Sequence, residues 1–169
     1  MIGAKAGQSV VFLGAADTAL AAEVGRVTGL NGRTLVVDEG RAVRVEIERA
    51  AARAGALLEF HDAPVTRTLD EPAGTFDLAV LTTANWAVLA PEARHVTIGN
   101  AFALVRPGGR LIGVLTAGRR PRFGRPPHVP REIVDDALAR FTAAGSRAVR
   151  CLADVPGTAY VEGVRPRAT

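Results

Sequence analysis

The chain has 169 residues, a composition typical of folded globular proteins and a net charge of +4. Hydrophobic residues make up 48% of it and charged residues 22%, which excludes extensive disorder and is enough to build a core. A single cysteine excludes an internal disulfide, and no stretch approaches the roughly 20 apolar residues that cross a bilayer. We therefore expect one domain over residues 1–169, cytoplasmic, with no membrane segment and no metal site.

The first half of the chain alternates apolar runs with helical patterns. Residues 9–14, "SVVFLG", are typical of a strand buried on both faces. A helix follows, with Leu20 and Val24 on one face and either Asp17 or Thr18 as its N-cap. The next elements are predicted as a strand at 34–38, a helix that carries Val43 and ends at Gly55, and a strand at 57–60.

The second half continues the alternation and then changes character. We predict a strand at 76–82, a helix at 92–105, a sharp turn at 106–109, a strand at 110–115 and a helix around Val134, Leu138 and Phe141. Two extended segments, 147–152 and 158–164, close the chain as an antiparallel hairpin. Strands that alternate with helices predict a three-layer α/β sandwich, here a seven-stranded, mostly parallel sheet with that hairpin at one edge.

Taken in order, these segments resemble the Rossmann-like (class I) S-adenosylmethionine-dependent methyltransferases over nearly the whole chain. The first strand and its turn match "VVFLGAADT", and acidic positions after the next two strands match "LVVDEG" and "FHDAP". The fourth strand matches "FDLAVLTT", and "ALVRPGGRLIGV" is very similar to the family's helix–turn–strand passage. The resemblance implies a methyltransferase fold, S-adenosylmethionine as cofactor, and transfer to a small-molecule substrate.

The candidate cofactor residues follow the predicted strands. Ligands of open parallel sheets bind beyond the carboxyl ends of the strands. Gly14 lets the backbone approach a ligand, and Asp38, 24 residues later, can accept hydrogen bonds from two ribose hydroxyls. The resemblance assigns Asp62 to an adenine amino group and Ala63 to the space beside the ring. The full set is Gly14, Ala15, Ala16, Asp17, Asp38, Glu39, Asp62, Ala63 and Thr82. The alternative is that Asp38 and Asp62 only cap helices or turns.

The first turn departs from the family pattern. Phe12 replaces the usual acid, and Ala16 and Thr18 replace two glycines. Phe12 cannot accept the hydrogen bond that anchors the methionine ammonium, and Asp17 is the candidate to replace it. The alternative function is therefore a catalytically inactive, methyltransferase-like protein that binds or dimerises with a partner. A nicotinamide-dependent oxidoreductase fits less well, because the turn supplies only the first glycine of that pattern.

The substrate side gives less to work with, and the catalytic residues are unknown. Only about eight residues precede the first strand. The candidate lids are therefore the segments 83–95 and 117–131, and the first of them contains Trp86. A homodimer would be another way to cover the cleft. Five arginines in 117–131 could steer an anionic partner, but we favour a solvated loop. Nucleic acid is an unlikely partner because aromatic residues are scarce. Possible bases are His61, ranked first, His95 and His128, although we favour a structural role over a catalytic one for His61. Cys151 is expected in the core.

Overall fold

A seven-stranded sheet covered by helices on both faces forms the framework of the protein. The computed structural model describes residues 2–82, 89–117 and 128–167. The elements in chain order are β1 (Ser9–Leu13), α1 (Thr18–Thr28), β2 (Arg33–Asp38), α2 (Arg41–Ala54), β3 (Glu59–Asp62), β4 (Phe76–Leu81), α3 (Pro91–Leu104), β5 (Val105–Thr116), α4 (Arg131–Ala143), β6 (Arg147–Val155) and β7 (Thr158–Val164).

The strands lie in the order β3-β2-β1-β4-β5-β7-β6, which confirms the predicted fold class. The first five strands are parallel, and β7 runs antiparallel between β5 and β6. The carboxyl ends of β1 to β5 therefore meet at one edge of the sheet, which we call the carboxyl edge. Thr158, the first residue of β7, pairs with Thr116 and lies at the same edge.

Two apolar clusters fix the helices on the sheet. One face packs β1, β2 and β4 against α1 and α2 through residues that include Phe12, Val24 and Ile47. The other packs against α3 and α4 through residues that include Ile98 and Phe141. Burial on both faces explains the uninterrupted apolar runs of the central strands. No helix in the described ranges combines the length and the apolar character needed to span a membrane.

The ends of α1 and α2 follow from local chemistry. The side chain of Asp17 caps α1, since its Oδ1 accepts a hydrogen bond from the backbone N of Leu20 at 2.9 Å. Of the two predicted caps, Asp17 is thus the one that acts. Helix α2 ends at Gly55, whose φ of +63° is the left-handed conformation that glycine adopts without strain.

Two predicted elements differ in the structure. β3 begins at Glu59 and not at residue 57, because its pairing with β2 begins where Glu59 meets Leu35. Residues 106–109 do not form a separate turn before a strand; they belong to β5, which shifts register against β4 between Phe76 and Leu78. Gly109 allows this bulge, because a Cβ there would lie 2.8 Å from the carbonyl oxygen of Asp77.

The opposite edge of the sheet, which we call the amino edge, is held by ion pairs. Arg33 at the start of β2 binds the carboxylates of both Glu59 and Glu71. Further along, Glu162 is buried between the guanidinium groups of Arg110 and Arg150. Burial by itself raises the pKa of Glu162, but the hydrogen bonds from the two arginines outweigh it and leave that pKa below its usual value.

Candidate functional site

The loop after β1 is held between the ends of β2 and β4. The backbone N of Gly14 donates to the carbonyl oxygen of Val37 at 2.8 Å, and the backbone N of Ala16 donates to the carbonyl oxygen of Thr82 at 3.2 Å. The hydroxyl of Thr82 in turn donates to the carbonyl oxygen of Gly14. Gly14 has a φ of +91°, a conformation that side chains rarely allow. The backbone of this turn therefore requires glycine at position 14, which is the one position of the turn where the sequence has it.

Asp38, the last residue of β2, is tied to the same loop. Its Oδ2 accepts a hydrogen bond from the backbone N of Ala15 at 2.6 Å. The side chain is half-buried, and this burial raises the pKa of Asp38; hydrogen bonds from the backbones of Ala15 and Glu39 oppose the rise without cancelling it. A carboxylate accepts up to about four hydrogen bonds, so Asp38 keeps capacity for a ligand.

A cavity opens beside this loop, and we call it the β1–β2 cavity. Its volume is about 300 Å³. Its lining brings together six of the predicted cofactor residues with two valines: Gly14, Ala15, Ala16, Asp38, Glu39, Thr82, Val43 and Val65. Neither valine was predicted at the site, although the helical spacing of Val43 indicated a buried face. They supply the apolar walls of a cavity whose other groups are backbone and carboxylate.

A second cavity of about 340 Å³ lies next to it, and we call it the β5–β7 cavity. Asp17, the remaining predicted residue of the first turn, lines this one. The other lining residues come from the ends of four strands or from the loops beside them: Ala16, Thr82, Val114, Thr116, Gly157 and Thr158. Ala16 and Thr82 line both cavities, so the two are neighbours along the carboxyl edge.

Asp62 and Ala63 lie beside the site but line neither cavity in the described part of the chain. Asp62 pairs in register with Asp38 and is exposed, and its charge contributes to the raised pKa of Asp38. Ala63 is buried, and its backbone N donates to the carbonyl oxygen of Asp38 at 3.2 Å. These two residues therefore support and flank Asp38.

The candidates on the substrate side are dispersed. His61 and His95 are exposed, and Nδ1 of His128 lies 2.9 Å from a carboxylate oxygen of Asp154. Trp86 lies outside the described residues, as do residues 83–88 and 118–127 of the two candidate lids, 83–95 and 117–131. The expectation that Cys151 belongs to the core is wrong, because β6 is an edge strand and its thiol is exposed.

Phe12 occupies the position of the family's acid as a fully buried core residue. It has no exposed surface and packs in the cluster beneath α1 and α2. Burial of Phe12 nevertheless leaves both cavities open above it. The phenylalanine at position 12 thus removes a hydrogen-bond acceptor from the site, but its ring does not line either cavity.

Comparison with known proteins identifies the fold. No protein-family model matches the chain, and none of the curated proteins does. Among solved structures, a SAM-dependent methyltransferase from Aquifex aeolicus is 15% identical, with a TM-score of 0.74 over 96% of this chain and 85% of that one. A SAM-dependent O-methyltransferase from Thermotoga maritima is 12% identical, with a TM-score of 0.76 over 100% of this chain and 63% of that one.

The fold is thus that of the class I SAM-dependent methyltransferases, as the sequence resemblance implied. The same fold is found in the fibrillarin pre-rRNA processing protein of Methanococcus jannaschii, which is 14% identical with a TM-score of 0.69 over 99% of this chain and 70% of that one. The chain spans less than two thirds of the Thermotoga protein. At these identities the similarity defines the architecture and leaves the activity to be argued from the site.

Proposed function

We propose that the protein is an S-adenosylmethionine-dependent methyltransferase that acts on a small molecule. One observation carries the proposal: in a methyltransferase fold, the β1–β2 cavity opens at the carboxyl edge between Gly14, Asp38 and Thr82. Ligands of such sheets bind at this edge, where the strand order reverses on either side of β1. The position of the cavity thus agrees with the ligand position that the fold predicts.

The residues of the cavity fit the adenosine part of the cofactor. Asp38 would accept hydrogen bonds from the ribose hydroxyls, because a carboxylate can accept from two adjacent hydroxyl groups. Val43 and Val65 would contact the faces of the adenine ring, and Glu39 provides a polar group at the rim. Asp62 lies close enough to influence the charge of Asp38 and would flank the base.

Asp17 would hold the amino-acid end of the cofactor in place of the acid that Phe12 has replaced. It lines the β5–β7 cavity immediately beyond Ala16, the residue shared by the two cavities. Its Oδ1 caps α1, and the carboxylate has further acceptor positions for an ammonium group. Asp17 is exposed and forms no salt bridge with another described residue.

The bound cofactor supplies an activated methyl group on a positively charged sulfur. The work left to the protein is to position the acceptor and to exclude water, which can provide most of the rate acceleration. The loop from Gly14 to Ala16, fixed by hydrogen bonds to β2 and β4, gives the rigid support that such positioning requires.

A small acceptor is favoured over a nucleic acid by the charges at the site. Asp17, Asp38 and Glu39 line the two cavities, and none of the described lining residues is an arginine or a lysine. Nucleic-acid binding depends largely on cations that contact phosphates. The described lining of the two cavities therefore offers a polyanion no cation to contact beside the cofactor.

Isothermal titration calorimetry with S-adenosylhomocysteine and S-adenosylmethionine tests the proposal. We expect one binding site for each compound. Asp17→Ser removes the charge but keeps a helix cap, and we expect it to weaken binding of S-adenosylhomocysteine by about tenfold, the loss of one charge-assisted hydrogen bond. Absence of heat with either compound at millimolar concentration would refute the function, and unchanged affinity in Asp17→Ser would refute the role of Asp17.

A further inference from the structure

One wall of the β5–β7 cavity continues to the only tyrosine in the chain. In the antiparallel pair β5–β7, Thr116 lies opposite Thr158, and Val114 lies opposite Tyr160. Directly opposed residues in such a pair project to the same face of the sheet. Val114, Thr116 and Thr158 all line the cavity. Tyr160 is therefore the next side chain along the same wall.

The ring of Tyr160 packs against the core, while its hydroxyl has no hydrogen-bond partner among the described residues. The ring is half-buried and packs against the apolar cluster that contains Phe12 and Val114. Within the described ranges the hydroxyl forms no hydrogen bond with another residue. The hydroxyl is accessible, because it is absent from the set of buried polar atoms without a partner. A rigid ring with an accessible hydroxyl is suited to orient a ligand.

The charge of Asp17, which lines the cavity, acts on the same phenol. Burial raises the pKa of Tyr160, and the negative charge of Asp17 raises it further. The phenol is therefore protonated near neutral pH and can donate a hydrogen bond. It is poorly suited to act as a general base, since a base needs a pKa near the working pH.

We propose that Tyr160 positions the methyl acceptor by donating a hydrogen bond to it, and that this acceptor is an uncharged or cationic small molecule. The proposal rests on the function proposed above and adds the substrate class and a residue that selects it. The β5–β7 cavity presents hydroxyls and the carboxylate of Asp17. With the cofactor bound, Asp17 is paired with the ammonium group, but the carboxylate of the same amino-acid end adds a negative charge and the described lining residues supply no cation, and this disfavours binding of an anionic acceptor.

A single tyrosine makes the proposal directly measurable. Incorporation of 3-fluorotyrosine gives one fluorine-19 resonance, which reports on Tyr160 alone. The protein, saturated with S-adenosylhomocysteine, is titrated with three phenols of similar size: tyramine (cationic), 4-hydroxybenzyl alcohol (neutral) and 4-hydroxyphenylacetate (anionic). We expect the first two to shift the resonance and the anion to bind about tenfold more weakly than the neutral phenol.

Variants separate the hydroxyl from the fold. Because Tyr160→Phe has no tyrosine to carry fluorine, its binding and that of the wild type are compared by isothermal titration calorimetry. Tyr160→Phe should bind 4-hydroxybenzyl alcohol about fivefold more weakly, the effect of one neutral hydrogen bond, with unchanged affinity for S-adenosylhomocysteine. Thr142→Val removes an exposed hydroxyl on α4 and is the control, with no change in either affinity. Asp17→Ser should reduce the discrimination against 4-hydroxyphenylacetate.

The outcomes distinguish this inference from the proposed function. If S-adenosylhomocysteine binds but no phenol shifts the resonance, or the anion binds as well as the neutral phenol, the inference is wrong and the cofactor assignment stands. Equal binding of 4-hydroxybenzyl alcohol to the wild type and Tyr160→Phe also overturns it. If S-adenosylhomocysteine gives no heat while the neutral phenol still shifts the resonance, the proposed function fails and the binding role of Tyr160 is supported.

Discussion

The two edges of the sheet use carboxylates in opposite ways. At the amino edge, Glu59 and Glu71 bind Arg33, and Glu162 is enclosed by two arginines. At the carboxyl edge, no salt bridge between described residues involves the carboxylates of the site, which are those of Asp17, Asp38, Glu39 and Asp62.

This difference separates stability from binding. A buried carboxylate with cationic partners contributes to the fold, and its pKa falls, as for Glu162. A half-buried carboxylate without a cation costs stability when it ionises, and its pKa rises, as for Asp38. That cost is recovered when a ligand supplies the missing hydrogen bonds. Proteins commonly place such unfavourable groups at functional sites.

The largest effect on binding is expected at Asp38. Asp38→Asn removes the charge but keeps an oxygen that can accept from the backbone N of Ala15. Loss of two charge-assisted hydrogen bonds to ribose should raise the Kd of S-adenosylhomocysteine about 100-fold in calorimetry, with no loss of stability. Asp70→Asn, at an exposed loop position, is the control. An unchanged Kd in Asp38→Asn would show that this carboxylate does not contact the cofactor.

The opposite result is expected at the amino edge. Glu162→Gln leaves Arg110 and Arg150 without their shared anion and should lower the free energy of unfolding by about 2 kcal/mol in urea titrations. Affinity for S-adenosylhomocysteine should stay the same. Glu23→Gln disrupts an exposed pair with Arg26 and should have no measurable effect. If Glu162→Gln lowered the affinity for S-adenosylhomocysteine as much as Asp38→Asn does, the assignment of stability to one edge and binding to the other would be wrong.

A smaller effect, on both properties, is expected at Gly14. Gly14→Ala places a side chain at a φ of +91° and should cost about 1 kcal/mol of stability. Gly55→Ala, at a φ of +63° and with open space around its Cα, should cost a similar amount. Calorimetry distinguishes them, because only Gly14→Ala should also weaken cofactor binding. Equal cofactor affinity in the two variants would remove Gly14 from the binding loop.

The smallest effect concerns acid stability. Because the pKa of Glu162 is lowered from 4.5, its contribution is fully present above pH 4.5 and is lost as the pH falls through its lower value in the fold. The raised pKa of Asp38 has the opposite sign, since its ionisation as the pH rises opposes folding. Urea titrations between about pH 3 and pH 6, where carboxylates ionise, give the free energy of unfolding as a function of pH. This profile should be flatter for Glu162→Gln than for the wild type and slightly steeper for Asp38→Asn. Profiles parallel to that of the wild type would contradict both assignments.

Much of the framework was predictable because it depends on local patterns. Apolar runs, helix caps and glycine stops identify the elements, and the order of the motifs identifies the fold. The terminal hairpin even places Thr158 near the end of β5. Errors arose where a distant strand decides the outcome: the pairing of β2 fixes the start of β3, and the bulge against β4 draws residues 106–109 into β5.

The site was predictable only in part, for the same reason. Gly14, Asp38 and Thr82 follow strands, so chain order alone places them at one edge. Val65 reaches the β1–β2 cavity from a loop without a regular pattern, and Tyr160 reaches the neighbourhood of Asp17 through the antiparallel register of β7. Such contacts depend on three-dimensional packing and leave no periodic trace in the sequence.

A crystal structure of the protein with S-adenosylhomocysteine tests the central claim most directly. We predict adenosine density in the β1–β2 cavity, with both ribose hydroxyls within hydrogen-bonding distance of the Asp38 carboxylate and the amino-acid end directed toward Asp17. Density at another place on the sheet, or an empty cavity in crystals grown at a concentration that saturates the protein in calorimetry, would contradict the account.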